Sequence, residues 1–280
     1  MSTQIHPTAQ VRKGAELDEG VVVGPYAYIG PDVKIGKGTI VQQFANIDNH
    51  TTLGEGNVVY PYASVGTRPQ DLKYKGEPTT LTIGNRNQIR EFTTLNIGTV
   101  TGGGTTTIGD ENLLMAYVHV AHDCHIGSRC VLTNNVLLAG HVTLQDHVIL
   151  GALSAIHQFV RVGAHAIVSA NSMIAHDVPP FCIAAGRGGA LYGLNVIGLR
   201  RRGFSSETRM AMRRAYRRVF RGEGLKREEQ VKVLRAEFAD LKEAQQIADF
   251  LESTKLRSVL KDASKKKKAA SQGAEEAEAE

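Results

Sequence analysis

The chain has 280 residues, of which 42% are hydrophobic and 22% charged, and its formal net charge is +5. No apolar run approaches the roughly 20 residues that a membrane-spanning helix requires, and the first ten residues lack the features of a secretory signal. Three cysteines without a CxxC pair argue against a disulfide framework and for a reducing compartment. We therefore expect a cytoplasmic protein without stable membrane insertion.

An aliphatic residue recurs every six positions through much of the chain. Eleven successive slots from Ile5 to Val65 are aliphatic, and so are twelve slots from Ile108 to Ile174. This period is typical of a parallel β-helix, in which three hexads form one triangular coil of about 18 residues. Each aliphatic side chain would point into the prism, where its burial is worth about 1.5–3 kcal/mol. The predicted fold is mainly β.

The register is interrupted twice. Between Val65 and Ile83 the phase is kept, but the middle of the segment is polar, which predicts an external loop near 67–79. A phase slip of one residue and a run of three glycines predict a second external loop near 98–105. The glycine run lacks a Gly-Lys-Ser/Thr ending, so a nucleotide-binding loop is not favoured. Loops that protrude from a regular scaffold are commonly functional.

The pattern later changes from β to helical. We expect the β-helix over 1–190 and a small α-helical domain over 191–262 that caps the open end of the prism. The first helix, SSETRMAMRRAYRRVF, would follow Ser205 or Ser206 as N-cap, and two more amphipathic helices follow it. The charged tail, 263–280, is expected to be disordered.

Candidate catalytic groups converge on one flank of the predicted prism. Residues 18 apart lie one coil apart, about 4.8 Å in rise, so side chains at this spacing form vertical columns. An imidazole is suited to take a proton near neutral pH, a carboxylate can fix its tautomer, and a glycine N–H can bind an oxyanion. The two adjacent columns and their neighbours contain His119, His122, Asp123, Gly140, His141, His157 and Gln158.

Three interpretations of this cluster are possible from the residues alone. The first is general-base catalysis, and the second is a structural solenoid whose histidines are merely solvated. The third is a zinc site shared between subunits, as in the gamma class of carbonic anhydrases. That class spaces its histidine pair as H-x4-H, whereas His119 and His122 are separated by only two residues.

The motifs VHVAHD, AGH, HQF and RRGF follow one another in this order along the chain. With them the chain resembles the UDP-N-acetylglucosamine O-acyltransferase family, which acts first in lipid A biosynthesis. The resemblance covers residues 1 to about 260 and includes the segments HPTA, QDLKYKGEPT, IGNRNQIRE, GTVTGGGTT, DVPPF and GLNVIGLRRRGF. Its most specific part is the combination of VHVAHD, AGH, HQF and RRGF.

The resemblance implies a left-handed β-helix that forms a homotrimer with active sites between subunits. It implies transfer of an (R)-3-hydroxyacyl group from acyl carrier protein to the 3-position of UDP-N-acetylglucosamine, without a cofactor or metal, in a Gram-negative type of bacterium. Acylation of a 3-amino UDP-sugar stays open, because the same base could serve an amine.

The resemblance also assigns roles to residues. His122 would be the general base for the sugar hydroxyl, Asp123 would orient it, and the N–H of Gly140 would receive the thioester oxyanion. Substrate contacts are implied for Gln70, Asp71, Lys73, His119, His141, His157, Gln158, Asn195, Arg201 and Arg202.

Two positions depart from the family pattern. Ile197 stands where many members carry glutamate, so a contact to uridine or ribose is altered. Ala170 stands at the position that measures acyl length, which is usually glycine in long-chain members, and Met173 follows it. The resemblance therefore implies a slightly shorter acyl preference.

Arginines crowd the first predicted helix and its approach. Nucleic acid is one possible partner for such a patch, but neither an aromatic platform nor a nucleic-acid motif accompanies it. We therefore expect the acidic acyl carrier protein as partner and no nucleic acid. The cluster comprises Arg200, Arg201, Arg202, Arg213, Arg214, Arg217, Arg218 and Arg221.

Overall fold

A computed structural model describes residues 2–222 and 224–264, and in it short strands build three parallel sheets. Each coil gives one strand to each sheet in turn, so the sheets are the three faces of a left-handed β-helix. The mainly β prediction is confirmed.

The three sheets are defined by their strands. Sheet 1 contains Gln4–Ile5, Val22–Val23, Ile40–Val41, Val58–Val59, Gln88–Ile89, Leu113–Leu114, Val131–Leu132, Ile149–Leu150, Ile167–Val168, Cys182–Ala185 and Ala190–Leu194. Sheet 2 contains Gln10–Val11, Tyr28–Ile29, Asn46–Ile47, Ser64–Thr67, Thr94–Asn96, His119–Val120, Leu137–Leu138, Ala155–Ile156 and Met173–Ile174. Sheet 3 contains Glu16–Leu17, Lys34–Ile35, His50–Leu53, Thr80–Ile83, Thr105–Ile108, His125–Ile126, Thr143–Leu144 and Arg161–Val162.

The hexapeptide column forms the interior of the prism. In a two-residue strand the second residue points inward, and Val23, Ile29 and Ile35 are at most 1% exposed. Ile5 departs from this pattern, because it is 48% exposed. It belongs to the first coil, beneath which the described part of the chain places no other coil.

The corners of the prism stack residues of successive coils on one another. A corner has two residues, and the second adopts a left-handed backbone conformation, with φ of 58° at Asp123 and 64° at His141. Few side chains tolerate this region, and aspartate is among those enriched in it. Side chains at equivalent corner positions therefore lie one above the other, as the 18-residue spacing predicted.

Both insertions leave the prism at the corner between sheets 2 and 3. The first separates Ser64–Thr67 from Thr80–Ile83, and the second separates Thr94–Asn96 from Thr105–Ile108. The second contains a short 3₁₀ turn, Val100–Gly102. Since this is also the corner that His122 occupies, the two loops flank the candidate site.

Strand pairing continues after the hexapeptide period ends at Ile174. Cys182–Ala185 pairs in parallel with Ile167–Val168 and then forms an antiparallel pair with Ala190–Leu194. The sequence did not predict this antiparallel closing strand, because no six-residue repeat marks it. This strand is the last of sheet 1, and the first helix follows it directly.

The C-terminal part is helical. Helix α1 spans Val196–Arg201, α2 spans Ser206–Tyr216, α3 spans Arg227–Glu237 and α4 spans Lys242–Glu252, and a π-helical turn, Arg217–Arg221, extends α2. The predicted N-cap Ser205 accepts a hydrogen bond from the N–H of Thr208, whereas α1 was not predicted. Its six residues are too few to show a helical period.

Arg161 joins the helices to the prism. Its guanidinium donates to Asp177 at 3.0 Å and to the carbonyl oxygen of Phe250 at 2.9 Å, and it lies over the Phe250 ring.

The division into domains at residue 190 stays a prediction. The predicted tail, 263–280, lies outside the described residues except for its first two. None of the described helices has the length and apolar character needed to cross a bilayer.

Candidate active site

His122 and Asp123 are the two corner residues between strands His119–Val120 and His125–Ile126. Nδ1 of His122 lies 2.7 Å from Oδ2 of Asp123, and the Asp123 side chain is fully buried while that of His122 is 15% exposed. A buried carboxylate oxygen at this distance accepts a hydrogen bond, so we infer that Nδ1 carries the ring proton and donates it to this bond. The lone pair of Nε2 is then free to accept a proton.

Three further hydrogen bonds fix Asp123. The N–H and the hydroxyl of Thr99 donate to Oδ1 and Oδ2 of the carboxylate at 2.8 and 2.6 Å. The backbone N–H of Asp123 donates to the hydroxyl of Thr106 at 2.8 Å. The carboxylate is therefore buried without being left unpaired, as a buried charge requires.

Gly140 lies one coil beyond His122 in the same column. A Cβ at this position would be 2.7 Å from Cε1 and 2.9 Å from Nε2 of His122, so only glycine fits beside the imidazole without displacement. Within residues 2–222 and 224–264, the N–H of Gly140 donates to no other group. An unused donor next to a basic nitrogen is the arrangement that can receive a developing oxyanion.

His141 completes the cluster on the side of Asp123. Its ring meets that of His122 edge to face at 5.1 Å and stacks on Phe159 at 4.4 Å. Burial lowers the pKa of His141, while the negative charges of Asp123 and Asp71 act in the opposite direction. Asp71 in the first loop is thus close enough to influence the site.

The other predicted residues of the first loop, Gln70 and Lys73, lie on the surface. The N–H of Lys73 donates to Oδ1 of Asp71 at 2.9 Å, which makes a local turn. The side chains of Gln70 and Lys73 are exposed, and no hydrogen bond or ion pair among the described residues joins them to His122 or His141. Of these loop residues, Asp71 is the one whose charge acts on His141.

An apolar cleft of about 550 Å³ runs along the outer face of sheet 2 from this corner. His119, Leu137, Ala155, His157 and Met173 line it. Burial and then the neighbouring His122 lower the pKa of His119, which favours its neutral form. The apolar lining of the cleft suits a hydrocarbon chain.

The two predicted positions for acyl length have different surroundings. Met173 lines the cleft and is 57% exposed. Ala170 is absent from the lining and lies at the corner between sheets 1 and 2, which is the end of sheet 2 farther from His122.

Gln158 continues the column beyond Gly140, His157 precedes it in the chain, and both are exposed. Arg257, which follows α4, donates to Nδ1 of His157 at 2.9 Å and to the carbonyl oxygen of Gln158 at 3.1 Å. The role of Arg257 could not be predicted from the sequence, because 99 residues separate it from Gln158. The same holds for Thr99, since the phase slip before Ile108 conceals the register of that loop.

The predicted nucleotide contacts lie at a different corner, between sheets 3 and 1. The side chain of Asn195 caps α1, accepting from the N–H of Gly198 and donating to the carbonyl oxygen of His165, each at 3.0 Å. Arg202 donates to the carbonyl oxygen of His147 at 3.0 Å. Arg201 is exposed nearby. A single chain does not bring these residues to His122.

Ile197 is on the same helix as these residues and is 61% exposed. An apolar side chain at this position can accept no hydrogen bond from a ligand. The prediction that a polar contact is replaced here therefore stays a prediction.

His122, Asp123 and His141 could also be considered as metal ligands, because their donor atoms lie within 4.8 Å of one another. The hydrogen bonds of these residues favour another role. Both oxygens of Asp123 already accept hydrogen bonds, and Nδ1 of His122 donates one of them. A metal ion bound between these groups would have to displace them.

The C-terminal segment matches a described protein family, the second domain of UDP N-acetylglucosamine O-acyltransferases, over residues 177–260. Residues 14–49 and 105–140 match the bacterial transferase hexapeptide repeat. The chain is 52% identical over 256 residues to an acyl-[acyl-carrier-protein]–UDP-N-acetylglucosamine O-acyltransferase of Paraburkholderia phymatum, covering 90% of this chain and 97% of that one.

Solved structures agree with these matches. The UDP-N-acetylglucosamine acyltransferase of Francisella novicida superposes with a TM-score of 0.89 at 34% identity, covering 93% of this chain and 95% of that one. The UDP-N-acetylglucosamine acyltransferase of Campylobacter jejuni gives 0.86 at 37% identity, covering 92% and 99%.

The corner between sheets 3 and 1 predicts a pH dependence of stability. His165 stacks on His147 and on Phe181. Burial, and then the charges of His147 and Arg202, lower the pKa of His165 to about 4, while Asp146 opposes them. As the pH falls, the unfolded chain binds a proton at His165 before the folded protein does. The contribution of neutral His165 to the free energy of unfolding is therefore complete above about pH 6.5 and is lost as the pH falls toward 4.

We expect His165→Phe, which keeps the stack, to lose less stability than the wild type between pH 7 and 5. The difference should be about 1–2 kcal/mol, reduced from the full linkage value because the ring is partly exposed. Urea unfolding at both pH values measures it. Equal losses in the two proteins would contradict this assignment.

Proposed function

The chain belongs to the UDP-N-acetylglucosamine O-acyltransferase family, and from this we propose the reaction that its site supports. The enzyme transfers an (R)-3-hydroxyacyl group from acyl carrier protein to the 3-hydroxyl of UDP-N-acetylglucosamine, the first step of lipid A biosynthesis. The single observation that carries the mechanism is His122, held by Asp123, beside the unused N–H of Gly140.

In this mechanism Nε2 of His122 removes the proton of the sugar 3-hydroxyl as its oxygen attacks the thioester carbon. The carbonyl oxygen becomes an oxyanion and accepts a hydrogen bond from the N–H of Gly140. Collapse of the tetrahedral intermediate breaks the carbon–sulfur bond, and the carrier thiolate takes the proton back from His122. Asp123 stabilises the imidazolium that exists between the two proton transfers. The chain itself forms no covalent intermediate.

The acyl chain would lie in the apolar cleft of sheet 2. It would enter from the His122 corner and pass Leu137, Ala155 and Met173, which line the cleft. Ala170 lies at the end of sheet 2 farther from His122 and outside the cleft that a single chain forms. It would limit the length of the acyl chain where that chain extends past this cleft. Asp71 would contact the acyl hydroxyl, and Gln70, Lys73, His119, His141, His157 and Gln158 would contact the sugar or acyl group.

A homotrimer is supported by the chemistry of the three outer faces. Outward residues of sheet 3 include Lys34, Thr143 and Arg161, all polar. Outward residues of sheet 1 are largely aliphatic, and those of sheet 2 become so near the cleft. The outward aliphatic residues of sheet 1 are Val22, Ile40, Val58, Leu113, Val131, Ile149 and Ile167.

The corner between sheets 1 and 2 carries five stacked aromatic rings whose centroids are 4.9–5.2 Å apart. Each ring is 43–60% exposed in one chain, an apolar seam that suits the axis of a trimer. The rings belong to Tyr26, Phe44, Tyr62, Phe92 and Tyr117.

Such a trimer would pack sheet 1 of one copy on sheet 2 of the next. The outer ends of the two sheets then meet, so the His122 corner of one copy faces the His147 corner of its neighbour. Asn195, Arg201 and Arg202 would thereby approach the UDP moiety bound at the neighbouring His122. Arg201 is the exposed guanidinium of this group and suits a phosphate.

Acyl carrier protein would dock on the arginines of α2. Arg218 and Arg221 are paired with Glu237 and Asp262. Arg213, Arg214 and Arg217 are exposed and form no ion pair within the described residues. These three supply the uncompensated positive charge that an acidic carrier protein would meet.

Neither alternative reaction has comparable support. Neither the zinc hydratase nor acylation of a 3-amino sugar is favoured by the family to which the chain belongs. We place the reaction in the cytoplasm of a Gram-negative type of bacterium. The free thiols of Cys124, Cys130 and Cys182 suit a reducing compartment.

His122→Ala should lower turnover by about 10²–10⁴, the usual contribution of a general base, because no other group occupies its place beside Gly140. His125→Ala is the matched control, since His125 is exposed on the next strand and bonds to Thr107. Mass spectrometry of the acylated UDP-sugar gives both rates. Unchanged turnover in His122→Ala would leave the structural solenoid as the explanation.

Ala170→Gly should shift the preferred acyl chain toward greater length, because it removes a methyl group from the predicted end of the channel. A panel of hydroxyacyl carrier proteins of increasing length measures the preference of wild type and variant. The proposal is wrong if the wild type already prefers the longest chain.

Reversing two uncompensated charges, Arg213→Glu with Arg217→Glu, should raise the KM for the carrier-bound donor about tenfold with little change in kcat. Lys232→Glu with Lys242→Glu, at exposed lysines of α3 and α4, makes the same change of net charge and is the control. An unchanged donor KM in the arginine double variant would place the docking surface elsewhere.

A further inference from the structure

The loop between Asn96 and Thr105 closes over the carboxylate of Asp123. Thr99 is the residue of this loop that reaches Asp123, and it is only 3% exposed. It donates twice to the same carboxylate, through its N–H to Oδ1 and through its hydroxyl to Oδ2. Within the described part of the chain, the Asp123 carboxylate accepts three hydrogen bonds; the loop supplies two of them and His122 supplies the third.

Backbone hydrogen bonds hold Thr99 in this position. The N–H of Gly104 donates to the carbonyl oxygen of Thr99 at 2.8 Å, and that of Gly98 donates to the carbonyl oxygen of Thr80 at 3.0 Å. The N–H of Ile97 donates to the carbonyl oxygen of Thr67 at 3.0 Å. The two donors of Thr99 are thus fixed before any substrate binds.

Gly102 provides the space for the carboxylate under the loop. A Cβ built at this residue would overlap Cγ and both oxygens of Asp123. Gly103 and Gly104 have left-handed φ values of 100° and 83°, which let the chain return to the prism within a few residues. The glycine run thus allows a tight cover over a buried charge, a role distinct from phosphate binding.

Two histidines compete for Oδ2 of Asp123. Nδ1 of His122 lies 2.7 Å from this oxygen, and Nδ1 of His141 lies 3.9 Å from it. A small rotation of the carboxylate could bring it to His141 and leave His122 without its partner. The hydroxyl of Thr99 binds Oδ2 and its N–H binds Oδ1, and the two contacts together oppose that rotation.

We propose that Thr99 is a positioning residue for the reaction and that Gly102 is required for its contact with Asp123. Thr99 sets the orientation of the Asp123 carboxylate, which in turn sets the tautomer and direction of His122. This inference rests on the proposed function, in which His122 is the base. It adds the second loop to the machinery that orients this base.

The test compares three substitutions in the full-length enzyme. Thr99→Val keeps the shape and the N–H but removes the hydroxyl, whereas Thr99→Ser retains the hydroxyl. Thr93→Val is the matched control, because Thr93 is also fully buried and its hydroxyl bonds to the carbonyl oxygen of Met115, away from Asp123. kcat, the KM for each substrate and thermal unfolding are measured for all three.

We expect Thr99→Val to lower kcat about 10- to 100-fold, the loss of one hydrogen bond to a charged group, with each KM nearly unchanged. Thr99→Ser should restore most of the activity, and Thr93→Val should retain it. The low-field proton resonance of the His122 Nδ1–H should weaken or move in Thr99→Val and persist in Thr99→Ser.

Several results would overturn the proposal. They are wild-type kcat in Thr99→Val, an equal loss in Thr93→Val, no recovery in Thr99→Ser, or a change confined to KM. If Thr99→Val does not fold, Gly102→Ala takes its place, and wild-type kcat in that variant overturns the proposal equally. His122→Ala is assayed in parallel: if it is also fully active, the proposed function fails, whereas loss of activity only in His122→Ala refutes the role of Thr99 alone.

Discussion

The proposed active site depends on a carboxylate that is buried and fully hydrogen-bonded. Asp123 has no solvent exposure, so its charge is tolerated only because Thr99 and His122 donate to it. Its bond to His122 fixes the proton on Nδ1 and turns Nε2 outward. The orientation of this nitrogen is thus set inside the protein, beneath a glycine-rich loop.

The β-helix supplies the precision that this arrangement needs. Successive coils place equivalent corner residues above one another, which sets Gly140 beside His122 and His141 beside Asp123. The left-handed backbone at Asp123 and His141 is part of the same two-residue corner. A site built on such corners moves little, because each is bonded to the coils on both sides.

Much of the arrangement of the His122 corner could be predicted from the six-residue repeat of the sequence. The 18-residue spacing was enough to group His122, Gly140 and Gln158, because each corner repeats without insertion in those coils. The period could not place Thr99 or Arg257. An insertion displaces Thr99 from the register, and Arg257 reaches the corner only through the folding of the helical part. It also could not show that Asn195 and Arg202 lie at another corner, since that depends on how α1 packs on the prism.

The central claim is that Asp123 holds His122 in the tautomer protonated at Nδ1, and nitrogen-15 NMR of histidine-labelled protein tests it most directly. His122 would be assigned by comparison with His122→Gln, and its spectrum recorded with the ring in its neutral form. We expect a protonated Nδ1 and an unprotonated Nε2. A neutral ring with its proton on Nε2 could not accept the proton of the sugar hydroxyl at the nitrogen that faces Gly140, and it would contradict this account.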